Sequence, residues 1–450
     1  MPEKLKKVFV CNSCGAMQPK WSGKCPDCGA WNTLAEEQVA AKPARQCRTP
    51  QRGLQSLTVA SRPPRERLVT GIAEFDRVLG GGFVPGSVIL LAGEPGIGKS
   101  TLILQILARL KGERFLYFSG EESEEQLSLR ARRLKIADER IQVATENNLE
   151  NILYHLETER PGAVIIDSIQ TLYSDKFDNV PGSVTQVREC AGQILRHAKQ
   201  IDTVAILIGH ITKEGLIAGP KVLEHLVDTV LYLEGSKSSF YRTLRSIKNR
   251  FGSTNEIGIF EMRDTGLHPI DDPAAFFLAE RRLHVAGSAV TVSLEGTRPF
   301  LLEAQALVTQ SSYGMPQRTA NGIDYRRFAM LIAVLEKRTG LPLRTQDVFV
   351  NLVGGLKVDE PAVDLGVVVA MASSFKELPL EPTAAFIGEI GLVGEVRNVP
   401  FLEVRVREAL KFGFEKVYVP RAGLKFLGKE LRSRVIGIEA LNQLFGQIFN

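Results

Sequence analysis

Residues 88–101, VILLAGEPGIGKST, decide the fold. An apolar run ends at a glycine, a glycine-rich loop follows, and STLILQILARLKG (residues 100–112) then has the spacing of a helix. The stretch satisfies G-x4-G-K-[ST] in the strand–loop–helix context that the motif's mechanism demands. Gly93, Gly96 and Gly98 let successive backbone N–H groups converge on a phosphate chain at a helix N-terminus, where the helix dipole also favours negative charge. Glu94, Pro95 and Ile97 complete the loop. Lys99 is expected to reach the β/γ oxygens, Ser100 to ligate magnesium and Thr101 to continue the anion contacts. ATP with Mg2+ is the expected ligand.

Working outward, short β-branched runs (SVILLAG, RFLYFSG, GAVIIDS, TVAILIG) alternate with helical patterns such as VTQVRECAGQILRHAKQI from about residue 66 to 270. That alternation predicts an α/β domain with a mostly parallel sheet covered by helices. The strand ends supply the acids a nucleotide site needs. GAVIIDS ends with Asp167, the expected magnesium-side acid, whose other reading is a helix N-cap. RFLYFSGEES carries Glu121 and Glu122; either could orient and deprotonate the attacking water, and paired acids on a solvated helix start are the bland alternative. TVAILIG leads into His210, placed either as a γ-phosphate sensor or as a structural histidine.

Four of the six cysteines form two close pairs near the N-terminus, Cys11-x2-Cys14 and Cys25-x2-Cys28. Each pair sits on a tight turn with a trailing glycine, so both thiolates can face one ion. Four soft ligands with no open position predict a structural Zn2+ module over residues 8–34. Trp21 and Trp31 beside the second pair read as its small core or as a base-stacking platform. Residues 35–65, rich in Ala, Arg, Gln and Pro without periodicity, read as a linker. Up to residue 70 there are 12 Lys/Arg against 5 Asp/Glu, a basic arm that suits either phosphate contact or a solvated linker.

With 450 residues, 44% hydrophobic and 24% charged, the chain is long enough for about three domains. No apolar run approaches the roughly 20 residues of a membrane span, and MPEKLKKVFV lacks a signal-peptide core, so a cytoplasmic protein with no membrane partner is expected. A net charge of +5 is too mild to announce a nucleic-acid protein. Residues 286–450 mix strands such as SAVTVSLEG with helices such as DYRRFAMLIAVLEKRTG, which predicts a separate α+β domain.

The four-cysteine module, SGEES, PGSVTQVRE (residues 181–189), HITKEGLIAGPKVLEHLVDTVLYLEG and KNRFG (residues 248–252) together resemble the bacterial RadA/Sms recombination family, from end to end of the chain. The resemblance implies a RecA-like ATPase core over 66–270, a hexameric ring, binding of single-stranded and branched DNA, and branch migration driven by ATP hydrolysis in recombinational repair. A recombinase or replicative helicase is the implied protein partner. Lys248 and Arg250, two apart, would project from one face of an extended segment, to reach a neighbouring subunit's γ-phosphate or DNA phosphate. Residues 173–186 and 211–222 resemble the DNA-facing loops of RecA-like proteins, with Lys213 and Lys221 as phosphate contacts.

The domain over 286–450 resembles the proteolytic domain of Lon, with departures. Ala362 stands where Lon has its nucleophilic serine, and Glu403 where it has its lysine, so no activated nucleophile and no peptidase activity are expected. Two rival functions remain: a regulatory ATPase built on a RecA core and acting on protein partners, and a nucleotide-gated structural ring.

Overall fold

The computed structural model describes residues 5–12, 15–40, 66–112, 114–210, 221–235, 241–311, 315–354 and 358–449. They fall into two compact units, Met1–Asp271 and Asp272–Asn450. Among the described residues no helix is long and apolar enough to cross a membrane.

The first unit opens with a ribbon. Strand β1 (Leu5–Cys11) lies between β2 (Met17–Gln18) and β3 (Leu34–Ala40), antiparallel to both. Residues 35–40, read from composition as the start of a linker, therefore belong to the ribbon. Their pairing is supplied by β1, a partner that composition does not reveal. The remainder of that stretch, 41–65, lies outside the described residues. Nor is the ribbon self-contained. Val10 is fully buried in the same apolar cluster as Val184 and Val222, and a Cβ on Gly15 would lie 3.4 Å from the Val184 side chain.

Beyond it come α1 (Ala73–Leu79), β4 (Val88–Gly93), α2 (Lys99–Arg109), β5 (Phe115–Ser119), α3 (Glu124–Arg133), β6 (Ile141–Thr145), α4 (Leu149–Glu159) and β7 (Ala163–Asp167). They are followed by α5 (Val184–Ile201), β8 (Val204–His210), α6 (Lys221–Glu224), β9 (Thr229–Glu234), β10 (Tyr241–Asn249), β11 (Ile257–Arg263) and β12 (Gly266–Pro269). The nine strands from β4 to β12 form one sheet in the order β12-β11-β10-β9-β4-β8-β7-β5-β6. From β9 to β6 the neighbours are parallel, and the β9–β12 edge is antiparallel. Successive residues of a strand face opposite sides. Val88, Leu90 and Ala92 accordingly enter one core, and Ile89 and Leu91 the other. Each of the valine, leucine and isoleucine side chains withdrawn from water contributes about 1.5–3 kcal/mol. The central strand β4 is buried on both faces, and it carries the glycine-rich loop at its C-terminal end.

The second unit contains α7 (Pro273–Leu278), β13 (Ser288–Glu295), β14 (Arg298–Gln310), β15 (Arg318–Asn321), α8 (Tyr325–Thr339), β16 (Gln346–Leu352) and α9 (Asp364–Lys376). After them come β17 (Ala384–Phe386), β18 (Glu389–Ile390), β19 (Val396–Arg397), α10 (Leu402–Lys411), β20 (Lys416–Pro420), α11 (Lys429–Arg432), β21 (Val435–Ile438) and α12 (Leu441–Ile448). Seven strands form a mixed sheet, β15-β16-β14-β13-β17-β20-β21. Helix α9 is buried without a break from Asp364 to Ser373, as an unbroken run of small and aliphatic residues requires. Gly366 lets it approach β13, because a Cβ there would stand 2.7 Å from that of Thr291.

Candidate active site and zinc site

Strand register assembles the nucleotide site. In the β4–β8 ladder Gly93 pairs with His210, and in the β5–β7 ladder Ser119 pairs with Asp167. The loop, the histidine and three acids are thereby delivered to one end of the sheet, the end at which open parallel sheets bind ligands. Gly93 must be a glycine, since a Cβ would fall 2.4 Å from the Leu233 carbonyl oxygen. Gly96 (φ 77°) and Gly98 (φ 114°) occupy the left-handed region that turns the loop into α2. Ile97, 5% exposed, pins the loop to the core.

Lys99 is only 3% exposed. Its Nζ donates to the carbonyls of Gly93 and Glu94, both at 2.9 Å, and lies 3.1 Å from His210 Nδ1. Burial lowers its ammonium to about 8, while Asp167 and Glu121 pull the other way. Ser100 Oγ donates to Asp167 Oδ2 at 2.7 Å, and the buried Tyr117 hydroxyl donates to the same oxygen. The hydroxyl and carboxylate designated for magnesium are therefore in contact. Burial and Asp167 together push the Tyr117 phenol well above its ordinary value, so it remains a donor.

The two glutamates of SGEES diverge. Glu121 Oε1 accepts from Ser168 Oγ at 2.6 Å and lies 3.2 Å from His210 Nε2. The histidine contact, reinforced by Ser168 and opposed by burial, holds the Glu121 carboxyl down at about 2. Glu122 instead pairs with Arg130 of α3 at 2.5 Å. Gly120 makes the divergence possible: a Cβ there would lie 1.9 Å from Thr171 Oγ1 and 2.2 Å from Asn147 Oδ1. These groups line a cleft of about 420 Å³, together with Thr101, Arg133, Arg242 and Met262. Arg130 Nη1 and Glu122 Oε2 are buried there without hydrogen-bond partners, among the described residues. A cradle of glycines, a buried ammonium, a hydroxyl–carboxylate pair and an unpartnered guanidinium nitrogen fit a magnesium-bound nucleoside triphosphate.

In the ribbon, the sulfurs of Cys11, Cys25 and Cys28 lie within 4.8 Å of one another, with Cys11 and Cys28 3.7 Å apart. Four sulfurs at about 2.3 Å from one zinc would be separated by about 3.8 Å. The cluster fits that ion; Cys14, the fourth expected ligand, lies outside the described residues. Trp21 and Trp31 are 57% and 69% exposed, so neither forms a core for the knuckle. Leu34, with Phe9 and Ala16 packed beside it, takes that place.

Family models agree with both sites. The one described as Rubredoxin metal binding domain matches residues 9–36, and the one described as KaiC, an ATPase, matches residues 68–152. Proteins named DNA repair protein RadA align along nearly the whole chain. That of Bacillus subtilis (strain 168) is 48% identical over 98% of this chain and 99% of its own. Those of Halalkalibacterium halodurans and Streptococcus pyogenes serotype M1 are 49% and 46% identical, over 94% and 99% of this chain and 94% and 100% of theirs. The chain belongs to the RadA family. Its cofactors are ATP, magnesium and, at the cysteine cluster, zinc, and its core is a RecA-like ATPase.

The KNRFG segment that carried the RadA resemblance is anchored within the same unit. Lys248 Nζ donates to the carbonyls of Glu224 (2.7 Å), His225 (3.3 Å) and Val227 (2.9 Å). Arg250 Nη1 donates to Asp228 at 3.2 Å, while Asn249 turns the other way and donates to the Leu79 carbonyl. Lys248 and Arg250 thus both reach toward residues 224–228. Gly252 lets the segment sit close to Asn249 and Leu79, since a Cβ there would lie 2.9 Å from Asn249 Nδ2 and 3.3 Å from the Leu79 oxygen. Lys213 lies outside the described residues, and of Lys221 only the backbone, opening α6, is described.

Sequence reasoning missed Tyr117, Ser168, Arg130, Arg133 and Arg242. Tyr117 stands inside an apolar run and reads as core, and Arg242 comes from a strand far along the chain. Only Ser168, adjacent to Asp167, carried a usable signal. In the second unit Ala362 is 1% exposed, and the acids flanking it are engaged. Glu360 pairs with Arg405 and Asp364 with Arg327, while Glu403 pairs on the surface with Arg407.

Proposed function

We propose that this chain is a DNA-dependent ATPase of recombinational repair, which binds single-stranded DNA and moves branched intermediates by ATP hydrolysis. The observation that carries the hydrolytic part of the reading is the contact chain Lys99–His210–Glu121, beside the Ser100–Asp167 pair, at the mouth of the sheet, and the DNA part rests on kinship with proteins named DNA repair protein RadA. Lys99 would hold the β/γ oxygens, and Ser100 with Asp167 would hold magnesium. Magnesium, when bound, neutralises charge that develops on the transferred phosphoryl group. Glu121, kept ionised and aimed by His210 and Ser168, orients the attacking water, a role that its low proton affinity suits better than proton abstraction. Glu122 is committed to Arg130, so it serves the site as a counter-charge. His210 touches both Glu121 and the lysine, a position from which departure of the γ-phosphate is registered.

Lys248 and Arg250 act at a subunit boundary, on a neighbour's γ-phosphate or on DNA phosphate, in a cytoplasmic homo-oligomer of hexameric ring form. The ring would bind branched DNA and a recombinase or replicative helicase. Residues 8–34 serve as the zinc module, 66–270 as the ATPase domain, and 286–450 as a Lon-like platform without peptidase activity. Support for the last point lies in the buried methyl group at Ala362 and the paired acids around it.

One observation favours a second reading, a regulatory ATPase acting on protein partners: the model that matches residues 68–152 is that of KaiC. Steady-state ATP hydrolysis at one fixed salt concentration, with and without single-stranded DNA, separates the two. The motor requires that DNA raise turnover, that Lys248→Ala abolish the rise, and that Glu121→Gln lower turnover far more than Glu122→Gln. Turnover indifferent to DNA would favour the regulator.

A further inference from the structure

Asp228, the partner of Arg250, has been given no role of its own, yet α5, β4 and the KNRFG segment all meet on it. It is 1% exposed, on the bend between α6 and β9. Its Oδ2 accepts from the backbone N–H of Val88, the first residue of β4, at 3.1 Å. Its Oδ1 accepts from Lys199 Nζ of α5 at 3.1 Å and from Arg250 Nη1 at 3.2 Å. The backbone repeats the tie, for Asp228 N–H donates to the Val88 carbonyl at 2.9 Å and Arg250 N–H to the Asp228 carbonyl at 3.1 Å. A carboxylate removed from water is costly unless charged donors and hydrogen bonds surround it. Here two cations and an amide do so, and each cation keeps roughly half its side chain in solvent (44% for Lys199, 51% for Arg250).

The arrangement is asymmetric in a useful way. One nitrogen of the Arg250 guanidinium is held by the buried acid while about half of the side chain stays exposed, so the contact restrains the group without enclosing it. A guanidinium fork restrained in this way loses less freedom when it meets phosphate than a free side chain does. Lys199 shares Oδ1, so it moderates the charge of Asp228 without displacing Arg250.

We infer that Asp228 is the positioning residue for Arg250, holding its guanidinium against the root of the P-loop strand so that the KNRFG segment meets phosphate in a set orientation. The inference rests on the proposed role of Arg250. It requires that loss of the acid act through that arginine and not through nucleotide binding.

The test is a set of ATPase assays on the full chain, with and without single-stranded DNA. Asp228→Asn keeps an oxygen for the Val88 amide but removes the charge. DNA-stimulated kcat should fall about tenfold, the scale of one lost hydrogen bond to a charged group, with KM for ATP within about twofold of the parent's; unstimulated turnover falls with it if Arg250 meets a neighbour's γ-phosphate and holds if it meets DNA. Asp228→Asn added to Arg250→Ala should slow the enzyme no further, whereas independent effects would multiply. Because a change at a buried site can prevent folding, Arg250→Lys provides a second approach from the half-exposed partner. It keeps a cation facing Asp228 but not the planar fork, so stimulation should fall as in Asp228→Asn.

Full stimulation in Asp228→Asn or in Arg250→Lys, with stimulation lost in Arg250→Ala, overturns the inference and leaves the proposed function standing. Multiplicative effects in the double variant overturn it as well. Full stimulation in Arg250→Ala instead removes the proposed role of the KNRFG segment.

Discussion

Neighbouring identical residues take different roles here because their surroundings differ. Glu121 and Glu122 are adjacent acids, but the first meets Ser168 and His210 and the second meets Arg130. Lys99 shows the same dependence on surroundings. In the free protein burial lowers its ammonium to about 8, and polyphosphate beside it must raise that value again. The sign follows: above about pH 8 the lysine is partly neutral before binding and charged after it, so binding takes up a proton and affinity falls as pH rises. Titration calorimetry at about pH 8.5, in two buffers of different ionisation enthalpy, should register uptake of roughly half a proton or more per ATP, vanishing near pH 6.5. Equal heats in both buffers at the higher pH would show that Lys99 is fully charged in the empty site.

At the scale of elements, short signals set helix starts and register sets the site. Ser123 opens α3 with a capping box to Gln126, and Ser183 caps α5. Such caps contribute about 1 kcal/mol each and are legible three residues ahead. The turn from β5 into α3 depends instead on one absent side chain. Gly120→Ala would drive a methyl group into Thr171 and Asn147, so a loss of about 2–3 kcal/mol is expected. Denaturant unfolding should show it as a lower midpoint, and Thr171→Ala in the same chain should restore part by removing the nearest atom. An unchanged midpoint would mean that the turn yields without cost.

For the whole molecule, the boundary between ribbon and ATPase core is less sharp than the cysteine spacing suggests. Val10, beside the zinc ligand Cys11, is buried in the cluster that contains Val184 and Val222. Val10→Asp should therefore leave zinc binding intact, as measured with a chromophoric chelator. The ATPase unit should nonetheless lose about 3 kcal/mol or more, because a charge would be stranded in its core. A melting temperature equal to the parent's would instead make the ribbon an independent module. Two hydrophobic cores, one on each face of the nine-stranded sheet, leave that unit able to register such a change.

How much of this was legible beforehand follows from the range of the interactions. The glycine-rich loop, the cysteine pairs, the acids at strand ends and the alternation of strands and helices are local patterns, and the sequence alone determined them. Local chemistry also separated the chain into an α/β core and an α+β domain, and the KNRFG and SGEES motifs carried the RadA resemblance. Only the tertiary structure decided which glutamate meets His210, that Tyr117 and Ser100 share Asp167, and that Lys248 and Arg250 rest on residues 224–228. The same holds for residues 35–40, which pair as a strand, and for Val10, which joins the ATPase core. Each of these depends on a partner tens of residues away, brought near by strand register and packing, and no spacing along the chain encodes that distance.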